Sequence, residues 1–324
     1  MQLCDACFWD CGSVLAHMKR GLLIFNEKAG AQNREILPAI HATLGDVAMV
    51  SFEELGKPER AYACARELGC DWIAVAGGDG TIGAIASSLI ESDLPLGLIP
   101  VGTFNNFARS LHVPLDPVAA CRRILAQERH AVDFGMANGK PFFECLGIGL
   151  DAAIFPAGEA IKSGGFQRWF ELLQLGLRYP RHQFTMTFDR PVRDALCHNT
   201  TNESRRLVRR LAGLQERTIS LSALMVTVSN GPYYGMNFAV APDERMDDGL
   251  FTVSVFHRFS KWQLASHYRS ISQGRREYSP KGIAFRVAHI KLACEDNAPV
   301  HYDGTVAGHL PLDIECRRGG LIVY

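Results

Sequence analysis

The 324-residue chain has no long apolar run, no net charge and no disulfide-like cysteine framework. Each absence excludes something. Its hydrophobic stretches are strand-sized, well short of the roughly 18–20 residues that cross a bilayer as a helix. Its 34 basic residues are balanced by 34 acidic ones, so no global field draws the chain to nucleic acid. The ten cysteines mostly stand singly in apolar surroundings (Cys64, Cys121, Cys145, Cys294), which reads as reduced core thiols. Cys4, Cys7 and Cys11 are grouped, but no further metal ligand lies nearby. Residues 1–19 lack the basic start and apolar centre of a signal peptide. They read as a poorly ordered leader, with Met18 an alternative start, and the expected location is cytoplasmic.

What is present is an alternation. From residue 20 to 130, short buried strands such as "GLLIF", "VAMVSF", "DWIAVAG" and "LPLGLIPVG" are separated by helical patterns. Ile36, Ile40 and Leu44 share one helical face; Pro58 opens and Gly69 closes another helix; Asp116 and Pro117 form an N-cap and first-turn pair. A further helix is expected to carry Phe104, Phe107, Ala108 and Leu111. Strands separated by helices predict a three-layer α/β domain with a parallel sheet. From residue 131 to 324 the texture becomes strand after strand with short turns, beginning with a hairpin at Asn138-Gly139. This predicts a second, antiparallel β domain, with the final residues packing back on the first.

The stretch "AVAGGDGTIG" leaves a buried strand and opens a helix. Glycines there let backbone N–H groups approach a ligand, and a helix N-terminus suits a phosphate. A tight strand-to-helix turn would use the same residues. The dinucleotide reading needs a carboxylate at the end of the next strand, and "IPVGTFNN" has none. The Gly-Lys-Ser/Thr phosphate loop is excluded because no lysine follows. A second loop, "PVGTFNNFARSL", repeats the strand-to-helix arrangement, and "FNEKAG" after the first strand makes a third. In a parallel sheet such loops open on one edge, where ligands bind.

"GGDGT", then "PVGTFNNFARSL", "VSNGPYYGMNFAVAPDERMDDGLFTVSVF" and "HYDGT", in that order, resemble the diacylglycerol kinase catalytic-domain family of bacterial lipid kinases, related to sphingosine and ceramide kinases. The resemblance runs from about residue 20 to the end. It implies an ATP-binding α/β domain followed by a β-sandwich domain, with the active site between them. By the motif match, Gly77, Gly78, Asp79, Gly80, Thr81, Ile82, Gly83 and Thr103 would hold the nucleotide, with Asn26 from the first loop and, on a looser alignment, Ser51. Asp79 would either bind Mg²⁺ indirectly or orient the acceptor. Asp303 would be the base that takes the acceptor's proton, though Asp-Gly is also a common hairpin turn. Asp248, with the carbonyls of Arg245 and Leu250, would hold a structural Mg²⁺; without the resemblance, Asp247-Asp248-Gly249 reads as a polar turn.

Three positions depart from the family pattern. Thr305 replaces a glutamate after Asp-Gly, Asn106 replaces a common aspartate, and Glu27 replaces a common proline. The expected activity is therefore an ATP- and Mg²⁺-dependent lipid kinase of phospholipid biosynthesis. Its alternatives are a catalytically weak lipid- or nucleotide-binding regulator and, lower in rank, an NAD kinase. Two segments bear on a lipid alcohol acceptor. Phe166, Trp169, Phe170, Leu173 and Leu177 share a helical face that either belongs to a core or walls an acyl-chain pocket. Residues 190–217 hold seven arginines against three acids. There Arg205, Arg206, Arg209 and Arg210 alternate with Leu207, Val208 and Leu211, as a helix on an anionic membrane surface would, or a solvated flap.

Overall fold

The computed structural model describes residues 20–28, 33–154, 174–175, 178–197, 205–235, 238–239, 241, 243–257 and 282–324. Cys4, Cys7, Cys11, Met18 and the stripe from Phe166 to Leu177 lie outside the described residues.

Four parallel strands form the N-terminal sheet in the order β2 (Val47–Ser51), β1 (Gly21–Phe25), β3 (Trp72–Gly77), β4 (Leu96–Pro100). Helices cover both faces. On one, α1 (Asn33–Leu44) lies beside α6 (Pro117–Leu125), burying Ile40, Leu44, Cys121 and Ile124 against Leu23, Trp72 and Ala74. On the other, α2 (Phe52–Leu55), α3 (Ala61–Glu67), α4 (Asp79–Leu89) and α5 (Asn106–Ser110) cover Leu22, Ile24, Ile73 and Val75. Every one of those strand residues is at most 2% exposed, as a sheet covered on both faces requires. The local signals act as their chemistry dictates. Asp116 accepts the Ala119 N–H at 2.7 Å and Pro117 takes the first turn of α6. Pro58 opens a short 3₁₀ turn before α3, and Gly69 follows α3 with φ +66°. Helix α5 is shorter than the spacing suggests: Asn105 is left-handed (φ 54°), so Phe104 lies in the loop before it.

The strands that follow are β5 (His130–Ala137), β6 (Lys140–Phe142), β7 (Cys145–Gly149), β8 (His182–Phe188), β9 (Thr218–Ala223), β10 (Met225–Ser229), the small pair β11 (Tyr233–Tyr234) and β12 (Phe238–Ala239), β13 (Phe251–Val255), β14 (Ile283–Val287), β15 (His289–Cys294), β16 (Pro299–Tyr302), β17 (Thr305–His309) and β18 (Leu312–Val323). Apart from the small pair β11 and β12, they divide between two sheets. A six-stranded antiparallel sheet runs β14-β13-β10-β7-β16-β17. The others extend the first sheet through β18, β15, β8 and β9, with β5 and β6 branching from β18, to make ten strands in all. The two antiparallel surfaces enclose one core, in which Phe184, Met186, Ile290 and Leu292 meet Ile148, Val228, Phe251 and Phe285. The fold is thus an α/β layer joined to a β-sandwich by a continuous sheet.

Strand β18 is the joint. Its first residues pair with β15, the length from Ile314 to Val323 pairs with β5, and Val323 also pairs with Leu96 of β4. Tyr324, 1% exposed, donates its N–H to Leu96 O at 3.1 Å, sets its ring edge-on to Trp72 and donates its hydroxyl to Gln127 Oε1 at 3.0 Å. Replacing Tyr324 with Ala removes a buried aromatic from the face that holds α1 and α6. A stability loss of about 3–5 kcal/mol is expected, measurable by urea denaturation.

Candidate active site

In the parallel sheet Phe25 is opposite Ser51 and Ala76, and Gly77 is opposite Pro100. All four strands therefore end on one edge, and the loops carrying Asn26, Ser51, Gly77–Gly83 and Thr103 leave from it. Asn26 ties the first loop to the third: its Nδ2 donates to Thr81 Oγ1 at 2.7 Å, and its Oδ1 accepts the Lys28 N–H at 2.8 Å. Thr81 sits in the first turn of α4, and the N-cap is Gly78, which has no side chain with which to cap it. That first turn keeps N–H donors facing the edge, as an anion requires. Ser51 is differently employed. Its hydroxyl accepts the Glu54 N–H at 3.1 Å while Glu54 returns a bond to the Ser51 N–H at 2.9 Å, a capping box that starts α2.

The glycine loop and the second loop touch through backbone alone. A Cβ on Gly102 would stand 2.4 Å from the Gly78 Cα, so only glycine permits this approach. Asn105 closes the second loop by bonding both the N–H and the carbonyl of Gly102 at 3.0 Å, leaving Thr103 exposed. Asp79 then links the two helices: its Oδ1 accepts the Phe107 N–H of α5 at 3.2 Å. Burial raises the Asp79 carboxyl above its ordinary value, and the α5 amides oppose that shift. Beside the first loop, Phe25, Ile36, Ile40 and Val101 floor a cavity of about 330 Å³ with Asn26 and Glu27 at its rim.

The second half of the chain brings a strip of backbone, Phe143-Glu144-Cys145, to this edge. Asp303, at φ 44° in the turn after β16, accepts the N–H groups of all three, at 2.7, 2.9 and 2.9 Å. Both of its oxygens are committed to this task. From the other side Asn230, fully buried, donates its side chain to Phe143 O at 2.9 Å and its N–H to Glu144 O at 2.9 Å. The strip is thereby gripped by amides and carbonyls alike, and it presents the Glu144 side chain to α5. Asn106 Nδ2 donates to Glu144 Oε2 at 3.3 Å and to Gly235 O at 2.8 Å. Burial foremost, then the negative charges of Asp79 and Asp303, push the Glu144 carboxyl well above the usual carboxylate range. Burial also raises Asp303 against the pull of its three amides. Asp79, Glu144 and Asp303 thus form one electrostatic group. Behind it His301 is wholly buried, with Nε2 3.0 Å from Asp151 Oδ2 and 2.9 Å from the Tyr234 hydroxyl.

Glu144 and Asp151 lie outside the motifs, while Asn230 and His301 lie inside "VSNGPYYG" and "HYDGT", which do not reveal their partners. One signal was available for Glu144: it is a lone carboxylate in an otherwise apolar strand passage, "PFFECLGIG".

The turn at 245–250 is organised by carboxylates and a guanidinium. Asp133, 1% exposed, accepts the Gly249 and Gly319 N–H groups at 2.6 and 2.7 Å. Asp248 Oδ1 accepts the Leu250 N–H at 3.0 Å, and its Oδ2 meets the Arg286 guanidinium at 2.5 Å. Arg286 also lies 3.4 Å from Glu244, and Arg245 pairs outward with Asp247. A guanidinium already supplies the cation that Asp248 needs, so Arg245, Asp248 and Leu250 are a poor fit to a structural Mg²⁺. Among the described residues the one metal-compatible cluster is His182, Cys294 and Asp296, on β8, at the end of β15 and just beyond it. The basic segment forms a helix, Arg205–Leu211, whose Leu207, Val208 and Leu211 pack on the sandwich core. Its apolar side is used internally, and only its arginines face outward.

Residues 20–137 match the family described as the diacylglycerol kinase catalytic domain, and residues 201–324 match the YegS C-terminal NAD kinase beta sandwich-like domain. The first of these segments spans a little over a third of the chain, which is thus similar to the diacylglycerol kinase catalytic-domain family. Diacylglycerol kinase of Staphylococcus carnosus (strain TM300) is 23% identical over 324 residues, covering 94% of this chain and 95% of the relative. That of Staphylococcus haemolyticus (strain JCSC1435) is 25% identical over 308 residues, covering 89% of this chain and 83% of the relative. The crystal structure of a diacylglycerol kinase from Bacillus anthracis strain Sterne has the same fold, with a TM-score of 0.68 at 24% identity over 94% of this chain and 96% of that one. The matched domain and the similar relatives indicate a lipid-kinase type of activity. No helix among the described residues is long and apolar enough to cross a membrane.

Two outcomes follow from this geometry. Gly102→Ala forces the two loops apart and is expected to cost about 1–3 kcal/mol. Gly80→Ala, where an added Cβ meets nothing within 4 Å, is expected to change stability by less than about 1 kcal/mol. Chemical denaturation compares the two. The second outcome concerns Glu244, whose burial raises its carboxyl from 4.5 to about 7 despite Arg286. The folded state then holds this proton more tightly than the unfolded one, so stability falls as pH rises from about 4.5 to about 7 and is level above. Glu244→Gln is expected to be more stable than wild type by of order 1–3 kcal/mol at pH 8, with the gap closing toward pH 4.5.

Proposed function

We propose that the protein is an ATP-dependent lipid kinase that transfers the γ-phosphoryl group to the hydroxyl of a lipid alcohol such as diacylglycerol. The observation that carries this reading is the convergence of the phosphate-type loops of one sheet edge with carboxylates from the second half of the chain: Asp79 accepts the Phe107 N–H, the adjoining Asn106 bonds the Glu144 carboxyl, and the Glu144 N–H goes to Asp303. Phosphoryl transfer asks for held phosphates, spread charge and an oriented acceptor, and little covalent chemistry from the protein.

In this reading Gly77 to Gly83 and the exposed Thr103 hold the phosphates, with Asn26 bracing Thr81 from the first loop. Ser51 contributes by starting α2 and not by touching nucleotide. The apolar cavity beside Asn26 has the size and lining for a flat ring system. Asp79, Glu144 and Asp303 do not form a metal-holding cluster by themselves, so Mg²⁺ would enter with the nucleotide and neutralise its phosphate oxygens. Asp303 keeps the 143–145 strip in place at the site. Any contact with an anionic membrane surface would be through the charges of Arg205, Arg206, Arg209 and Arg210 alone.

The test is incubation of pure protein with labelled ATP, Mg²⁺ and a panel of lipid alcohols in mixed micelles, with NAD⁺ as a separate acceptor. Transfer to a lipid is expected. Asp79→Asn, which keeps an acceptor for the Phe107 N–H, is expected to lower that transfer about 10²-fold or more. Nucleotide binding with no transfer would make the protein a regulator, and transfer to NAD⁺ in place of lipid would make it an NAD kinase.

A further inference from the structure

We propose that Glu144 is the catalytic base, taking the acceptor's proton in place of the carboxylates that positions 106 and 305 do not supply. This rests on the kinase reading above and assigns the step that reading leaves open.

Four observations converge on it. First, Asp303 is heavily engaged, since its two oxygens receive three backbone N–H groups. Moving that carboxylate onto a substrate would release the strip it holds. Second, Thr305 carries no carboxylate and is exposed on β17. Third, Glu144 is 6% exposed and its backbone is held on both sides, so its side chain is oriented before any substrate arrives. The groups whose charges reach it are Asp79 from α4 and Asp303 from the turn after β16; Asn106, which bonds it, is neutral. Fourth, the Asn106 carboxamide points to a missing hydrogen-bond donor. Asn106 is 2% exposed and its Nδ2 makes two bonds, yet its Oδ1 has no donor among the described residues. A buried acceptor without a donor is costly. An alcohol hydroxyl seated there would donate to Asn106 Oδ1 on binding and turn its one proton to Glu144 as its oxygen attacks.

In the step so assigned, the acceptor oxygen bonds to the γ-phosphorus as the bond from that phosphorus to the ADP oxygen breaks. The hydroxyl proton passes to a Glu144 carboxylate oxygen, and ADP leaves with the electron pair. Glu144 returns the proton to water when the products depart. The exchange of residue types is reciprocal: the carboxylate common at position 106 in the family is here one hydrogen bond away, on the neighbouring strip.

That reciprocity supplies the test. Phosphoryl transfer to the lipid alcohol used by the wild type is measured for Glu144→Gln and for the double variant Asn106→Asp with Glu144→Gln, with ATP affinity and thermal unfolding measured alongside. Glu144→Gln is expected to lower kcat about 10²-fold or more, with ATP affinity close to wild type and an unfolding temperature no lower than wild type. The double variant returns a carboxylate to the same hydrogen-bonded pair and is expected to recover at least about tenfold over Glu144→Gln. A wild type that transfers phosphate, together with a Glu144→Gln variant within about threefold of it, would overturn this assignment and leave the kinase reading intact. A double variant no better than Glu144→Gln alone would also overturn it, marking Glu144 as a packing residue. A wild type that transfers to no lipid alcohol would overturn the kinase reading and this assignment with it.

Discussion

The grip of Asp303 and Asn230 on the backbone of Phe143, Glu144 and Cys145 is the constraint on which the site depends. Three amides go to one carboxylate and two carbonyls to one asparagine residue, with Gly231 adding its N–H to the second. The strip would otherwise be an irregular passage between β6 and β7, with buried polar groups that must be satisfied. Satisfied in this way, it becomes a rigid shelf. Its outer side is the sandwich sheet, and its inner side faces the helices that begin at the glycine loops. The two halves of the protein meet through this shelf with their charges already placed.

Electrostatics then explains why the cluster is strongly hydrogen-bonded. Three carboxylates in a poorly solvated place repel one another, and burial alone raises each of them. The fold answers with oriented N–H groups: the start of α5 for Asp79, the strip for Asp303, and the Asn106 carboxamide for Glu144. The turn at 245–250 solves a like problem differently, with Arg286 between Asp248 and Glu244. A fixed guanidinium does there what a bound cation does elsewhere.

Much of the frame was legible in the residues. Asp116-Pro117 starts a helix because its chemistry is local, and strand-sized apolar runs separated by helical faces led to the parallel sheet and its single functional edge. Contacts remote in sequence were not legible. Ser51 looked like a nucleotide contact because nothing in "VSFEEL" says whether its hydroxyl turns to the edge or to Glu54. Asp248 looked like a metal ligand because Arg286 sits in another strand. Asn106 read as the loss of a charge because its partner, Glu144, comes from the far side of the hairpin. Motifs report residue types; they do not report which neighbour a folded chain brings to them.

The route of β18 bears on how the protein is made. Leu321, Val323 and Tyr324 are embedded in the cores of the α/β layer, among side chains translated long before them. A nascent chain that has emerged only through α6 therefore lacks part of its own interior, with the Leu96 edge open to the wrong partner. Such distant pairings slow folding. The early portion must wait, with apolar surface uncovered, until the sandwich is synthesised, which makes this interval the one in which a chaperone has most to protect.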